Sequence, residues 1–255
     1  MRTNVLRVLA ATAIVLGSFG SSGCDAGETD ESPEVASQSD DVVEGSIAHG
    51  YAEAVHINMA DAYGPAGVCS GALIAPTVVL TAGHCVEGFT AWYVIAPFAE
   101  GEIRRTTRAE VYDWDVSMED YTFAKHDVAV ILLDEPIVID AYPRIAIEAV
   151  EHGSEAVVVG RTMAGRPSDD WLFESNPIAL MHRWGDKEYS RYYIAPENMI
   201  QSGDSGGAVY PYRPDADPDA EGPRTIIGIA SATHYVYRAH KRHDWIQAFV
   251  DDANE

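Results

Sequence analysis

The sequence predicts an all-β protein closed by one C-terminal α-helix, and three observations carry that reading. From Val42 onward the chain is a series of strand-length apolar runs: "AEAVHINM", "GALIAP", "TVVLTA", "AWYVIA", "DVAVILL", "EAVVVG", "GAVYPY" and "TIIGIASA". These runs are rich in Val, Ile and Tyr and bounded by Gly, Pro or Asp, the composition of strands and of the turns between them. No long helical pattern separates them, which leaves a sandwich or a barrel as the architecture. Only the last segment, "RAHKRHDWIQAFVDDANE", changes period. There Trp245, Ile246, Phe249 and Val250 share one face at helical spacing, predicting a packing helix over 240–252.

Taken in order, the first element is an export signal at 1–23. Arg2 and Arg7 precede the apolar run "VLAATAIVLGSF", Val8 to Phe19, which is too short to span a bilayer, since that needs about 20 residues. The small residues that follow lead to Cys24 and resemble a bacterial lipobox, although Ser21 stands where leucine is usual. Lipidation at Cys24, giving a membrane tether, and ordinary cleavage near Gly23 both remain open. Residues 24–41 continue as an acidic, Ser-containing linker almost without large apolar side chains, unable to order itself by burial. The remainder, 42–255, is long enough for one large domain or two small ones, and hydrophobic residues make up 47% of the whole chain.

The formal charge of −23, from 40 acidic against 17 basic residues, repels nucleic acid and suits an exported protein in the periplasm or outside the cell. There are three cysteines, Cys24, Cys69 and Cys85. If Cys24 carries lipid, Cys69 and Cys85 are left as the natural disulfide pair.

The stretch "QSGDSGGAVY" sets Ser205 among glycines directly before an apolar run. Glycine costs backbone entropy in a strand, so this is a turn with unusual dihedrals. A serine hydroxyl becomes a nucleophile only with a neutral imidazole to take its proton and a carboxylate to orient that imidazole. The chain offers His84 at the end of an apolar run in "LTAGHC", and Asp127 at the head of the run in "KHDVAVILL".

Together "CSGALIAPTVVLTAGHC", "HDVAVILL" and "SGDSGG" closely resemble the three signature segments of the chymotrypsin/trypsin-like serine peptidases, in the same order. The resemblance runs from about Val42 to the C-terminus. It implies two packed six-stranded antiparallel Greek-key β-barrels, the first over about 42–147 and the second over about 148–238. It implies Ser205 as nucleophile, His84 as general base and then acid, Asp127 as orienting carboxylate, and an oxyanion hole from the N–H groups of Gly203 and Ser205. Cys69 and Cys85 match the disulfide beside the family's histidine. "VVEG", Val42 to Gly45, resembles the family's mature N-terminus, whose freed amine pairs with the aspartate before the serine, here Asp204. "VVEG" read simply as a first strand is the alternative. One cut between Asp41 and Val42 would then both activate the domain and release it from its tether.

Where the pattern departs, it concerns specificity. Met199 occupies the position of the tryptic aspartate, and Ser231, Ala232 and Thr233 replace the usual pocket wall. These imply a shallow pocket for small or medium apolar side chains of a protein or peptide substrate. No cofactor, no metal and a monomeric state are expected. The carboxylates at 215, 217, 219 and 221 lack the glycine turn and terminal glutamate of a calcium loop, and His234, His240 and His243 straddle a strand end and a helix start. The α/β-hydrolase elbow also contains G-x-S-x-G, but it needs the order Ser, acid, His and a helix-flanked parallel sheet. The remaining alternative is a catalytically silent homologue acting as a binding module.

Overall fold

The computed structural model describes residues 45–115, 125–183, 189–214 and 223–255. The expected export signal, Cys24, the expected linker, Val42 and the acidic positions 215, 217, 219 and 221 lie outside these residues.

After the edge strand β1 (Gly45–Ile47), a long hairpin joins β2 (Ala54–Asp61) to β3 (Gly64–Ala75). Its turn is held by the Asp61 carboxylate, which accepts the N–H groups of Tyr63 and Gly64. Five more strands follow: β4 (Val78–Thr81), β5 (Ala91–Ala96), β6 (Glu102–Thr106), β7 (Arg108–Val111) and β8 (Ala129–Leu132). The sheet order is β6-β5-β2-β3-β4-β8-β7, all antiparallel. Its two ends, β6 and β7, are halves of one segment that bends at Thr107, so the sheet closes on itself. Counting the bent segment once gives the six strands expected of a barrel. At the bend the Thr106 hydroxyl donates to the Leu132 carbonyl at 2.7 Å and accepts the Arg108 N–H at 3.1 Å, replacing broken ladder bonds. The spatial run β5-β2-β3-β4 is the Greek-key arrangement.

The second half contains β9 (Arg144–Ile145), β10 (Ser154–Gly160), the short hairpin β11 (Thr162–Met163) and β12 (Arg166–Pro167), β13 (Phe173–Ser175) and β14 (Ile178–Leu180). It continues with β15 (Tyr192–Ile194), β16 (Ala208–Pro211), β17 (Thr225–Ile226), β18 (Gly228–Ala232) and β19 (Tyr235–Arg238). The main path is β1-β13-β10-β16-β18-β19-β15, with β14 also on β10. A bridge between Met181 and Ile194 links the end of β14 to β15 and closes this sheet too. The break between β13 and β14 falls at Asn176-Pro177, where proline has no N–H to give to a ladder. With β13 and β14 taken as one strand, and β1 as an added edge, this barrel also has six.

Each barrel is filled from the inside by its apolar alternation. Val158, Leu180, Val209, Ile227 and Val236 pack the second barrel, while a larger cluster fills the first and continues across the seam through Tyr210, Ile229 and Tyr237. The helix α1 (His243–Asp252) begins later than the sequence pattern predicts, because Ala239–Arg242 forms a 3-10 turn first. Ile246 is fully buried, and Trp245, Phe249 and Val250 pack against the large cluster, so the helix is a packing element. Among the described residues no helix is long and apolar enough to cross a membrane.

Cys69 on β3 and Cys85 are joined by a disulfide across 16 positions of sequence. Closing a loop of that size removes entropy from the unfolded chain. Replacing both cysteines by alanine is expected to lower stability by about 3 kcal/mol, read as an earlier urea midpoint at unchanged slope.

Candidate active site

His84 sits in a 3-10 turn, Gly83–Cys85, that ends β4. The turn is fixed from three sides. Cys85 is disulfide-bonded, its carbonyl accepts the Trp92 indole N–H at 3.0 Å, and Gly83 lies under Trp114, where a side chain would meet Trp114 Cβ at 2.7 Å. The Cys69 and Cys85 sulfurs lie within 4.8 Å of the His84 ring, but they are bonded to each other and have no thiolate to offer a metal.

Asp127 precedes β8 and is completely buried. Its Oδ1 accepts the His84 backbone N–H at 2.9 Å, and its Oδ2 lies 2.8 Å from His84 Nδ1. The Ser231 hydroxyl donates to the same Oδ2. A carboxylate can only accept, so His84 carries its proton on Nδ1 and leaves Nε2 as a free base. Burial alone would raise the Asp127 pKa, but the His84 ring, the Ser231 hydroxyl and the His84 N–H hold it below the usual carboxylate range. For His84, burial works against the charged ring; the Asp127 carboxylate outweighs it, and the imidazole is held above its ordinary value.

Ser205 lies on the tight turn before β16. Its carbonyl accepts the Ser70 N–H at 2.8 Å, which ties the turn to the first barrel. Its hydroxyl donates to the Ser231 carbonyl at 3.3 Å, so Ser231 touches both Ser205 and Asp127. Among the described residues, His84 Nε2 has no hydrogen-bond partner. Gly206 has φ +83° and packs against Thr81 and the Ser70 carbonyl, a position that no side chain fits. Gly203 has φ +100°, and among the described residues neither its N–H nor that of Ser205 meets an acceptor. Two unengaged N–H groups, one of them on the serine itself, are donors of the kind an oxyanion needs.

Asp204 points the other way, into a cavity lined by Gly45, Gly160, Thr162 and Met199. The Thr162 and Gln201 N–H groups reach its carboxylate at 2.8 and 3.0 Å. Burial pushes its pKa up to about 6, against the pull of those two N–H groups, the Thr162 hydroxyl and the Arg161 backbone. Gly45, three residues after Val42, is on the rim of this cavity, while Val42 itself lies outside the described residues.

Of the residues expected at the substrate pocket, Met199 is buried and shares the Asp204 cavity. The Ser231 hydroxyl donates to Asp127 and its carbonyl accepts the Ser205 hydroxyl, so this residue lies directly beside both groups. Ala232 is half-buried, and Thr233 is exposed with φ +20°.

Several participants escaped the sequence reading. Beside the first His–Asp pair stands a second: His126 Nδ1 lies 2.6 Å from Asp113, and its Nε2 accepts from Arg191 at 3.0 Å and Arg242 at 2.7 Å. Burial, aided by those arginines, keeps His126 below its ordinary pKa. With both nitrogens engaged it braces the backbone leading into Asp127. The other is Arg161, completely buried behind Gly203 and held by Asn58, the Ser168 carbonyl and Asp169.

Against known proteins, a family model described as Trypsin matches residues 43–243. A curated "Trypsin" of Simulium vittatum is 27% identical over 146 residues, which is 55% of this chain and 49% of that protein. The chain thus aligns with about half the length of the curated relative it matches. Among solved structures, a scabies mite inactivated protease paralogue has a TM-score of 0.60 at 17% identity, covering 83% of this chain and 99% of its own. Human heparin binding protein has a TM-score of 0.60 at 16% identity, covering 83% and 97%. At that identity the two structures speak for the shared double-barrel fold alone.

Proposed function

The chain belongs to the trypsin family, and from that premise we propose that it is an exported serine endopeptidase. The observation that carries the proposal is the buried Asp127 carboxylate holding His84 Nδ1 at 2.8 Å, in a site where Ser231 joins Asp127 to Ser205.

In this reading the Ser205 hydroxyl leaves the Ser231 carbonyl, gives its proton to His84 Nε2 and attacks the scissile carbonyl. The negative oxygen that forms is held by the N–H groups of Gly203 and Ser205. His84 then protonates the leaving amine, and water hydrolyses the acyl-serine by the reverse sequence of proton transfers. The side chains and backbone supply base, acid, nucleophile and oxyanion donors, so the reaction requires no cofactor. Fluorophosphonate labelling tests the proposal: protein beginning at Val42 is expected to take up one phosphonyl group, competed by a peptide substrate. A protein that stays unlabelled and leaves a mixed peptide library uncut contradicts it. The silent, binding-only homologue is disfavoured because His84, Asp127 and Ser205 are all retained.

Activation is proposed to follow a cut between Asp41 and Val42. Burial pushes the Asp204 pKa up to about 6, and among the described residues the carboxylate makes no direct ion pair, Arg161 acting on it only at a distance; the new α-amine entering the cavity beyond Gly45 would provide a direct partner. Asp204→Ala is therefore expected to lower kcat of the processed protein at least about 100-fold, because the oxyanion donors flank it. If Cys24 is lipidated, the same cut frees the domain from the membrane. For specificity, the thioether of Met199 in place of an aspartate predicts cleavage after small or medium apolar residues. A peptide library is expected to show these favoured over Lys or Arg by about tenfold or more in kcat/KM.

A further inference from the structure

Thr162 Oγ1 donates to the Ser202 carbonyl at 2.7 Å. That carbonyl belongs to the same planar peptide unit as the Gly203 N–H, and in a trans peptide the two point in opposite directions. Gripping one therefore aims the other. We infer that Thr162 is a positioning residue that locks the Ser202–Gly203 peptide and so sets the first oxyanion donor; this rests on the serine-peptidase reading above.

The lock answers a weakness built into the turn. Glycine at 203 allows either sign of φ, so nothing in its own backbone prevents the preceding peptide from turning over. Turning over would reverse the direction of the Gly203 N–H and so remove it from the oxyanion hole of the reading above. The neighbouring contacts restrain other parts of the loop. Ser70 Oγ donates to the Gly203 carbonyl at 2.8 Å, which fixes the following peptide, Gly203–Asp204. The N–H of Thr162 holds Asp204 Oδ1 at 2.8 Å. Behind Gly203 lies the stem of Arg161, whose Cγ and Cδ would be 3.0 and 3.1 Å from a side chain placed there. Its guanidinium cannot withdraw, being fixed to Asn58 at 2.8 Å, the Ser168 carbonyl at 3.0 Å and Asp169 at 2.7 Å. Among the described residues, the Thr162 hydroxyl is the group that grips the Ser202 carbonyl itself.

The test uses protein beginning at Val42 and three versions: wild type, Thr162→Val and Thr162→Ser. Valine keeps the branched shape and removes the donor, whereas serine keeps the donor. With rates normalised to the fluorophosphonate-labelled fraction, Thr162→Val is expected to lose about three- to tenfold in kcat with KM within about twofold. Affinity for a peptide boronate, whose tetrahedral adduct places an oxygen in the hole, is expected to fall by the same factor. Thr162→Ser is expected to restore both to within about twofold. Unchanged kcat and boronate affinity in Thr162→Val overturns the inference, and so does a loss confined to KM. A serine variant as impaired as the valine one overturns it as well, since packing and not the hydroxyl would then matter. An unlabelled wild type removes the peptidase reading and this inference together; a labelled wild type with an unimpaired valine variant removes the inference alone.

Discussion

Replacing Ser205 by alanine is expected to reduce kcat by about six orders of magnitude, measured on protein beginning at Val42 so that processing is not a variable. The fall is this large because the reaction loses its attacking oxygen, and His84 is left as a base with nothing to deprotonate. Both oxyanion donors are backbone N–H groups, which the exchange leaves in place, so a residual acceleration over water of about a thousandfold or more should persist. Substrate binding should change little, because the hydroxyl rests on the Ser231 carbonyl at 3.3 Å and supports no wall of the fold. Retained peptide binding with abolished turnover is thus the expected pair of results. A variant that still cleaves within about tenfold of wild type would move the nucleophile to another residue.

Asp127→Asn is expected to lower kcat by about ten-thousandfold, as this exchange does in chymotrypsin-like triads. The amide can donate where the carboxylate could only accept. Facing the His84 backbone N–H at 2.9 Å and the ring at 2.8 Å, it favours the tautomer with the proton on Nε2 and removes the free base. The pH dependence gives an independent check. In the wild type the carboxylate holds the His84 pKa above 6.5 despite burial, and only the neutral ring can act as base. Activity should therefore rise through a midpoint above pH 6.5 and be lost below it. Without the carboxylate, burial is the larger influence left, and the weak residual activity should show its midpoint at a lower pH. An unshifted profile would mean that Asp127 does not set the base.

How much of this was legible in the sequence follows from which forces are local. The strand pattern and the helix are written in short runs of local periodicity, whereas His84, Asp127 and Ser205 stand out through the resemblance of three segments to the serine peptidases. The closure of each barrel was less visible, since it depends on bends at Thr107 and at Asn176-Pro177 that join non-neighbouring strands. The hydrogen bond from the Ser231 hydroxyl to Asp127 is not legible in the sequence, because position along the chain does not say which way a strand residue faces. A register shift between Ala230 and Ala232 in the pairing of β18 with β19 marks the spot. Arg161 was missed for a different reason. An arginine after "AVVVG" is ordinarily exposed, and only the tertiary partners Asn58 and Asp169 make its burial affordable. Thr162 carries no sequence signal, because the carbonyl it bonds lies 40 positions away. Val42, whose amine is proposed to activate the domain, and the acidic stretch around 215–221 lie outside the described residues.

The most direct measurement is a crystal structure of the protein beginning at Val42 after reaction with a peptidyl fluorophosphonate. The account predicts phosphorus bonded to Ser205 Oγ, a phosphoryl oxygen about 3 Å from the N–H groups of Gly203 and Ser205, and His84 Nε2 facing the leaving-group side. Phosphorus on any other residue, or an adduct at Ser205 whose oxygen points away from both N–H groups, would contradict it.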